Sequence, residues 1–135
     1  RGIYLKYDKE VAVKICKPRE NEDLNDLLTE MYLLKYCKHP NIIQLYGTWM
    51  KGGEIFMAVE FCAMGSLSGI IKKHPNCMSE DLIAAVLKHT LMALDYLHSN
   101  SIIHRDLKGE NILIDSSGRL KLVDFGISKQ TSQNG

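Results

Sequence analysis

The run His104-Arg105-Asp106-Leu107-Lys108-Gly109-Glu110-Asn111, followed by Asp124-Phe125-Gly126, collects carboxylates, an amide and an ammonium group whose types suit phosphate handling. Asn111 and Asp124 offer hard oxygen donors, which Mg²⁺ prefers while it keeps several waters and bridges nucleotide phosphates. Lys108 is a compact point charge for a phosphate in transit. Asp106 is a carboxylate able to accept a hydroxyl proton and aim the oxygen it leaves behind. Phosphoryl transfer through a loose transition state places charge on the outer oxygens, so it needs positioning and positive charge more than covalent chemistry.

These residues need a rigid support, and the sequence between them supplies one. Ile112-Leu113-Ile114 reads as a short apolar strand, Asp115-Ser116-Ser117-Gly118 as a turn, and Leu120-Lys121-Leu122-Val123 as a second strand delivering Asp124. Either short motif alone would pass for a polar loop or a buried strand with a turn. In this order they resemble the H-R-D-L-x-x-x-N and D-F-G signatures of eukaryotic protein kinases. The resemblance implies that Asp106 is the base for the substrate hydroxyl, that Asn111 and Asp124 clamp Mg²⁺, and that Lys108 stabilises the phosphate in flight. It also implies a serine or threonine acceptor, because tyrosine-specific relatives usually carry Ala-Ala-Arg where this chain has Lys108-Gly109-Glu110. Arg105 is similar to the Arg of kinases switched by activation-segment phosphorylation, which implies a buried guanidinium awaiting a phosphate.

Val11-Ala12-Val13-Lys14 resembles the V-A-I-K strand of the same family, whose Lys reaches the α- and β-phosphates of ATP. Alone it would equally describe a strand with one snorkelling Lys. A helix follows, with Leu24, Leu27, Leu28, Met31 and Leu34 at helical spacing and Asn21, Glu22 and Asp23 as cap and acidic first turn. Glu30 on this helix precedes His39-Pro40-Asn41-Ile42-Ile43, similar to the family's joint between helix and strand, and is the expected ion-pair partner of Lys14. Glu20 and Glu22 compete for that role, although a charge preference at a helix start also explains them.

Ile55-Phe56-Met57-Ala58-Val59-Glu60-Phe61-Cys62 resembles the strand and hinge that hold adenine. The resemblance implies hydrogen bonds from the Glu60 carbonyl and the Cys62 amide, Val59 at the gatekeeper position, and Ala12 and Leu113 on either side of the base. Taken singly, each of these apolar residues would be ordinary core. Ser79 caps a further helix with Glu80 and Asp81 in its first turn and Leu82, Val86, Thr90, Ala93, Leu94 and Leu97 on one face. Its wording, with Glu60–Leu67 and Ala93–His98, resembles the sterile-twenty group of kinases and, within it, the Hippo-like branch.

A formal charge of +1 gives no basic field for nucleic acid, and Lys72-Lys73-His74 reads as a solvated helix end. The cysteines Cys16, Cys37, Cys62 and Cys77 show no pairing pattern and fit reduced thiols in a cytoplasmic protein. His74-x-x-Cys77 is half of a zinc pattern, but its nearby complement, Cys37-x-His39, is too tightly spaced to complete it. No apolar run approaches membrane-spanning length.

The expected fold is α+β, a bilobal kinase-like domain truncated at both ends, with residues 1–60 as small lobe and hinge approach and 61–135 as the start of the large lobe. Arg1-Gly2-Ile3-Tyr4-Leu5 resembles the second small-lobe strand, and the chain holds neither a G-x-G-x-x-G run nor an A-P-E. The expected activity is transfer of the ATP γ-phosphate to serine or threonine of a protein substrate, with ATP and Mg²⁺, by the parent domain. The fragment alone is expected to be inactive. Two rival readings are a non-catalytic kinase-like binding module, and a regulatory product that occupies a protein partner of the full kinase.

Overall fold

The computed structural model describes residues 1–6, 8–17, 24–125 and 129–130, and it is α+β. Gly2–Tyr4 (β1), Lys9–Cys16 (β2), Leu45–Lys51 (β3) and Glu54–Glu60 (β4) form an antiparallel sheet in the order β1-β2-β4-β3. Val11, Val13 and Ile15 give β2 the β-branched alternation that suits a pleated surface. Gly52 and Gly53 join β3 to β4, pairing Lys51 with Glu54. Both have positive φ, 58° and 77°, which a two-residue hairpin turn with the twist of its strands requires and glycine supplies without strain.

Helix Leu24–Tyr36 (α1) runs beside this sheet, but its inward face differs from the expected one. Glu30, Leu33, Leu34 and the following Cys37 are buried, while Leu28 is 56% exposed. The reason is geometric. Residues two apart on an α-helix lie about 200° apart around the axis, so turning Glu30 towards β2 turns Leu28 to solvent. The expected cap at Asn21–Asp23 and the competitors Glu20 and Glu22 lie outside the described residues, as do Gly126 and the start of the activation segment at Ile127 and Ser128.

The rest of the chain begins with Gly65–Ser66 (β5) and helix Leu67–Lys73 (α2), whose Ser66 side chain accepts the Gly69 N–H. Helix Glu80–Ser99 (α3) starts as expected, with Ser79 accepting the Leu82 N–H and Glu80 and Asp81 in the first turn. Thr90, Ala93 and Leu97 face inward, whereas Leu82, assigned to the same face, is 41% exposed because the buried stretch begins about three turns into the helix. Ile102–Ile103 (β6) precedes the loop holding Asp106, a 3₁₀ turn covers Gly109–Asn111, and Ile112–Ile114 (β7) pairs with both β5 and Leu120–Leu122 (β8). Lys129–Gln130 (β9) pairs with β6. Among the described residues no helix is long and apolar enough to cross a membrane.

One apolar core joins the two parts. Leu33 and Leu34 of α1, Ile42 and Ile43, Ala93 and Leu97 of α3, Leu122 of β8 and Phe125 belong to a single buried cluster. Phe125 has no exposed surface, and burying a side chain of that size contributes about 2–3 kcal/mol. It therefore anchors the backbone next to Asp124.

The turn between β7 and β8 is held by Asp115. Its Oδ1 accepts from Ser117 N at 2.8 Å, Ser117 Oγ at 2.6 Å and Arg119 N at 2.9 Å, and its Oδ2 accepts from Arg119 Nε at 3.1 Å. Burial pushes the carboxyl up, but these hydrogen bonds outweigh it and hold the group at about 2. Against an ordinary carboxylate near 3.9, that difference corresponds to about 2–3 kcal/mol. Because the folded value is depressed, the stability is fully present above about pH 3.9 and is lost as pH falls through about 2. Asp115→Ala should lower the unfolding free energy by about that amount at neutral pH, and the gap to wild type in denaturant titrations should close on acidification. A gap that stays constant from about pH 6 to pH 2 would contradict this role.

Candidate active site

The sheet and α1 meet through an ion pair. Lys14 Nζ lies 2.6 and 2.8 Å from Glu30 Oε1 and Oε2. Glu30 is 5% exposed, so the Lys14 ammonium offsets the cost of taking its carboxylate out of water. The Lys14 side chain is 46% exposed, and its head sits at the edge of a cleft of about 370 Å³.

That cleft collects residues from both parts of the fold. Ala12 and Lys14 come from β2, Glu30 from α1, and Val59, Glu60 and Cys62 from the end of β4 and the connector. Asn111, Leu113 and Asp124 come from the 3₁₀ turn, β7 and the residue beyond Val123. Leu34, Ile43, Phe61 and Val123 complete its walls, a lining that sequence reasoning left out because each looks like plain core. Burial, then the nearby Glu60, pushes the Cys62 thiol up to about 11, so it is a poor nucleophile at neutral pH.

Asp106 and Lys108 do not line the cleft but are tied to it by Asn111. Asp106 Oδ2 accepts from Lys108 Nζ at 2.6 Å and from Asn111 Nδ2 at 2.9 Å, and Asn111 Nδ2 also reaches the Asp106 carbonyl at 2.9 Å. The bond from Lys108, helped by Asn111, holds the Asp106 carboxyl below its usual range against a small desolvation cost. Such a carboxylate is a weak base, suited to orienting a hydroxyl rather than stripping it in the ground state.

The loop is fixed to the strand below it at two points. Asp106 N donates to His104 Nδ1 at 3.3 Å, which places the ring proton on Nε2, and Nε2 then donates to the Val123 carbonyl at 2.9 Å. Burial lowers the His104 pKa, in keeping with a neutral ring. Val123 N in turn donates to the Asn111 carbonyl at 3.0 Å. The backbone also carries strain here: Arg105 has φ 67° and Asp124 φ 66°, left-handed values that cost a non-glycine residue about 1 kcal/mol or more. Arg105 itself is exposed, not buried as its resemblance implied, because this backbone turn directs it away from the core that holds His104.

One ion pair near the cleft was not anticipated. Lys121 of β8 reaches Glu60 Oε2 at 2.8 Å, with side chains only 7% and 17% exposed. The available signal was a lysine inside the apolar strand Leu120-Lys121-Leu122.

A family model described as the protein kinase domain matches residues 1–135. The chain is 44% identical over 128 residues to the serine/threonine-protein kinase dst2 of Dictyostelium discoideum, covering 95% of this chain and 11% of that protein. It is 37% identical to the serine/threonine-protein kinase dst1 of the same organism, covering 96% of this chain and 18% of that protein. It is 40% identical to that organism's serine/threonine-protein kinase 4 homolog B, covering 98% of this chain and 12% of that protein. The chain thus spans under a fifth of the length of these relatives.

Proposed function

The chain belongs to the protein kinase domain family, and from that premise we propose that the protein carrying it transfers the γ-phosphate of ATP to serine or threonine hydroxyls of a protein substrate. The observation that carries the reading is one cleft lined by the Lys14–Glu30 pair, Asn111 and Asp124, with Asp106 and Lys108 bonded beside it through Asn111. The similarity to serine/threonine-protein kinases and the Lys108-Gly109-Glu110 wording support the acceptor class.

Adenine would lie between Ala12 and Leu113, bonded by the Glu60 carbonyl and the Cys62 amide, with Val59 at the back of the cleft. Lys14, held by Glu30, would meet the inner phosphates as a fixed cation. The oxygens of Asn111 and Asp124 fit Mg²⁺, which takes one or two protein oxygens plus phosphates rather than an all-protein cage. When bound, the ion would neutralise charge on the phosphate oxygens. Asp106 would orient the acceptor hydroxyl and take its proton as the new oxygen–phosphorus bond forms and the γ-phosphorus parts from its bridging oxygen to leave ADP, while Lys108, bonded to Asp106, would face the moving phosphate. This activity is assigned to the protein bearing the chain, within a cytoplasmic setting, and not to the 135 residues in isolation, which contain no G-x-G-x-x-G run.

Incubating the full protein with Mg²⁺, labelled ATP and a generic protein substrate, followed by phosphoamino-acid analysis, tests the acceptor. Phosphoserine and phosphothreonine are expected, and label found only on tyrosine would overturn that part of the reading.

A further inference from the structure

The Lys121–Glu60 pair sits in the wall between two cavities. Glu60 lines the nucleotide cleft, and Lys121 lines a separate cavity of about 330 Å³ beside His39, Pro40 and Gln44. Lys121 therefore lies outside the space a nucleotide would fill. The two side chains are 7% and 17% exposed, and their 2.8 Å approach is an ion pair in which Glu60 Oε2 has no hydrogen bond of good geometry. Charge, not a directed bond, offsets the burial of that carboxylate, and a buried carboxylate robbed of its cation is strongly unfavourable. The field of Lys121 also reaches His39, whose pKa is lowered by burial first and by this ammonium second.

The backbone around the pair forms a closed circuit. Leu122 N donates to the Asn41 carbonyl at 2.8 Å, and Ile43 N donates to the Leu122 carbonyl at 3.0 Å, fixing β8 to the segment at Asn41–Ile43. The next carbonyl along that segment, Gln44 O, accepts the Glu60 N–H at 2.9 Å. Lys121 and Glu60 close the ring from the side-chain direction. One arm of the ring ends in the hinge backbone, and the other continues through Val123 to Asp124.

We propose that Lys121 is a positioning residue for the nucleotide: by neutralising Glu60 it fixes the distance between the hinge backbone that would hold adenine and the strand that delivers Asp124 to the phosphates. This rests on the kinase reading of the cleft. Loss of the ammonium alone leaves the buried Glu60 Oε2 without its counter-charge, and the carboxylate then draws the end of β4 towards water. The consequence is weaker nucleotide binding with little change in the chemical step, since Asp106, Lys108 and Asn111 keep their mutual bonds.

The test is a double-mutant cycle in the full protein, with affinity for a non-hydrolysable ATP analogue measured by calorimetry alongside kcat and KM for ATP. Lys121→Met should raise Kd and KM by about tenfold while kcat stays within about threefold, and Glu60→Gln/Lys121→Met, with no buried charge left, should recover most of that loss. A purely structural role would lower the melting temperature and the active fraction without moving KM. Unchanged Kd in Lys121→Met, or a double variant no better than the single, overturns the proposal while leaving the kinase reading in place. A wild-type protein that binds no nucleotide defeats both. If Lys121→Met does not fold, the double variant is compared with Glu60→Gln: tighter binding by the double variant supports the proposal, and equal or weaker binding overturns it.

Discussion

Asp106→Asn is expected to lower kcat for phosphate transfer by about 10²- to 10⁴-fold while leaving nucleotide affinity within a few fold. An amide is close in shape, so the contact with Asn111 at 2.9 Å can be kept after local adjustment. It cannot take the hydroxyl proton, and it removes the anion that holds Lys108 Nζ at 2.6 Å. Both losses fall on the transition state and neither on the cleft, which Asp106 does not line. Steady-state rates together with calorimetric binding of the ATP analogue separate the two. A kcat within threefold of wild type would remove Asp106 from the role assigned to it.

The second large effect concerns the pair across the sheet and helix. Lys14→Met should reduce kcat/KM for ATP by about two to three orders of magnitude, because the cation that meets the inner phosphates is gone and its partner is freed. It should also cost stability, since the alkyl stem is retained but Glu30, 5% exposed, keeps a carboxylate with no counter-charge. Glu30→Gln should lose most of the same activity by releasing the lysine head from its 2.6 and 2.8 Å bonds. If the two act as a unit, Lys14→Met/Glu30→Gln should be about as slow as Lys14→Met alone, and it should regain stability. Losses in kcat/KM that simply add would contradict a shared function.

The parts of this site that could be read in the sequence are those whose chemistry is carried by residue type and local order. Asp106, Asn111 and Asp124 lie on a loop, a turn and a strand end whose spacing is local, and the apolar runs Ile112–Ile114 and Leu120–Leu122 announced the strands that place them. The Lys14–Glu30 pairing joins β2 to α1, and it was the resemblance of Val11–Lys14 and His39–Ile43 to family motifs, more than the spacing alone, that suggested both partners. Helix orientation was harder to read. The leucine pattern of α1 is broad enough to admit two inward faces, and the choice between them was made by the tertiary pull of Lys14 on Glu30, which left Leu28 outside. Arg105 was misjudged for a related reason, because its exposure depends on a left-handed backbone that residue type does not reveal. The Lys121–Glu60 pair escaped because two unrelated strands bring it together, and a charge in an apolar strand reads as an edge position until its partner is seen.

The central claim is that this cleft serves phosphate transfer from ATP to a protein hydroxyl. The most direct measurement is transfer of radiolabel from [γ-³²P]ATP to a protein substrate by the full protein, with and without Mg²⁺, set beside its Asp124→Asn variant. The account predicts Mg²⁺-dependent labelling by wild type and a loss of about a hundredfold or more in the variant, because Asp124 supplies the only carboxylate of the two proposed metal donors. Nucleotide binding with no transfer under any Mg²⁺ concentration, or equal labelling by wild type and Asp124→Asn, would contradict it.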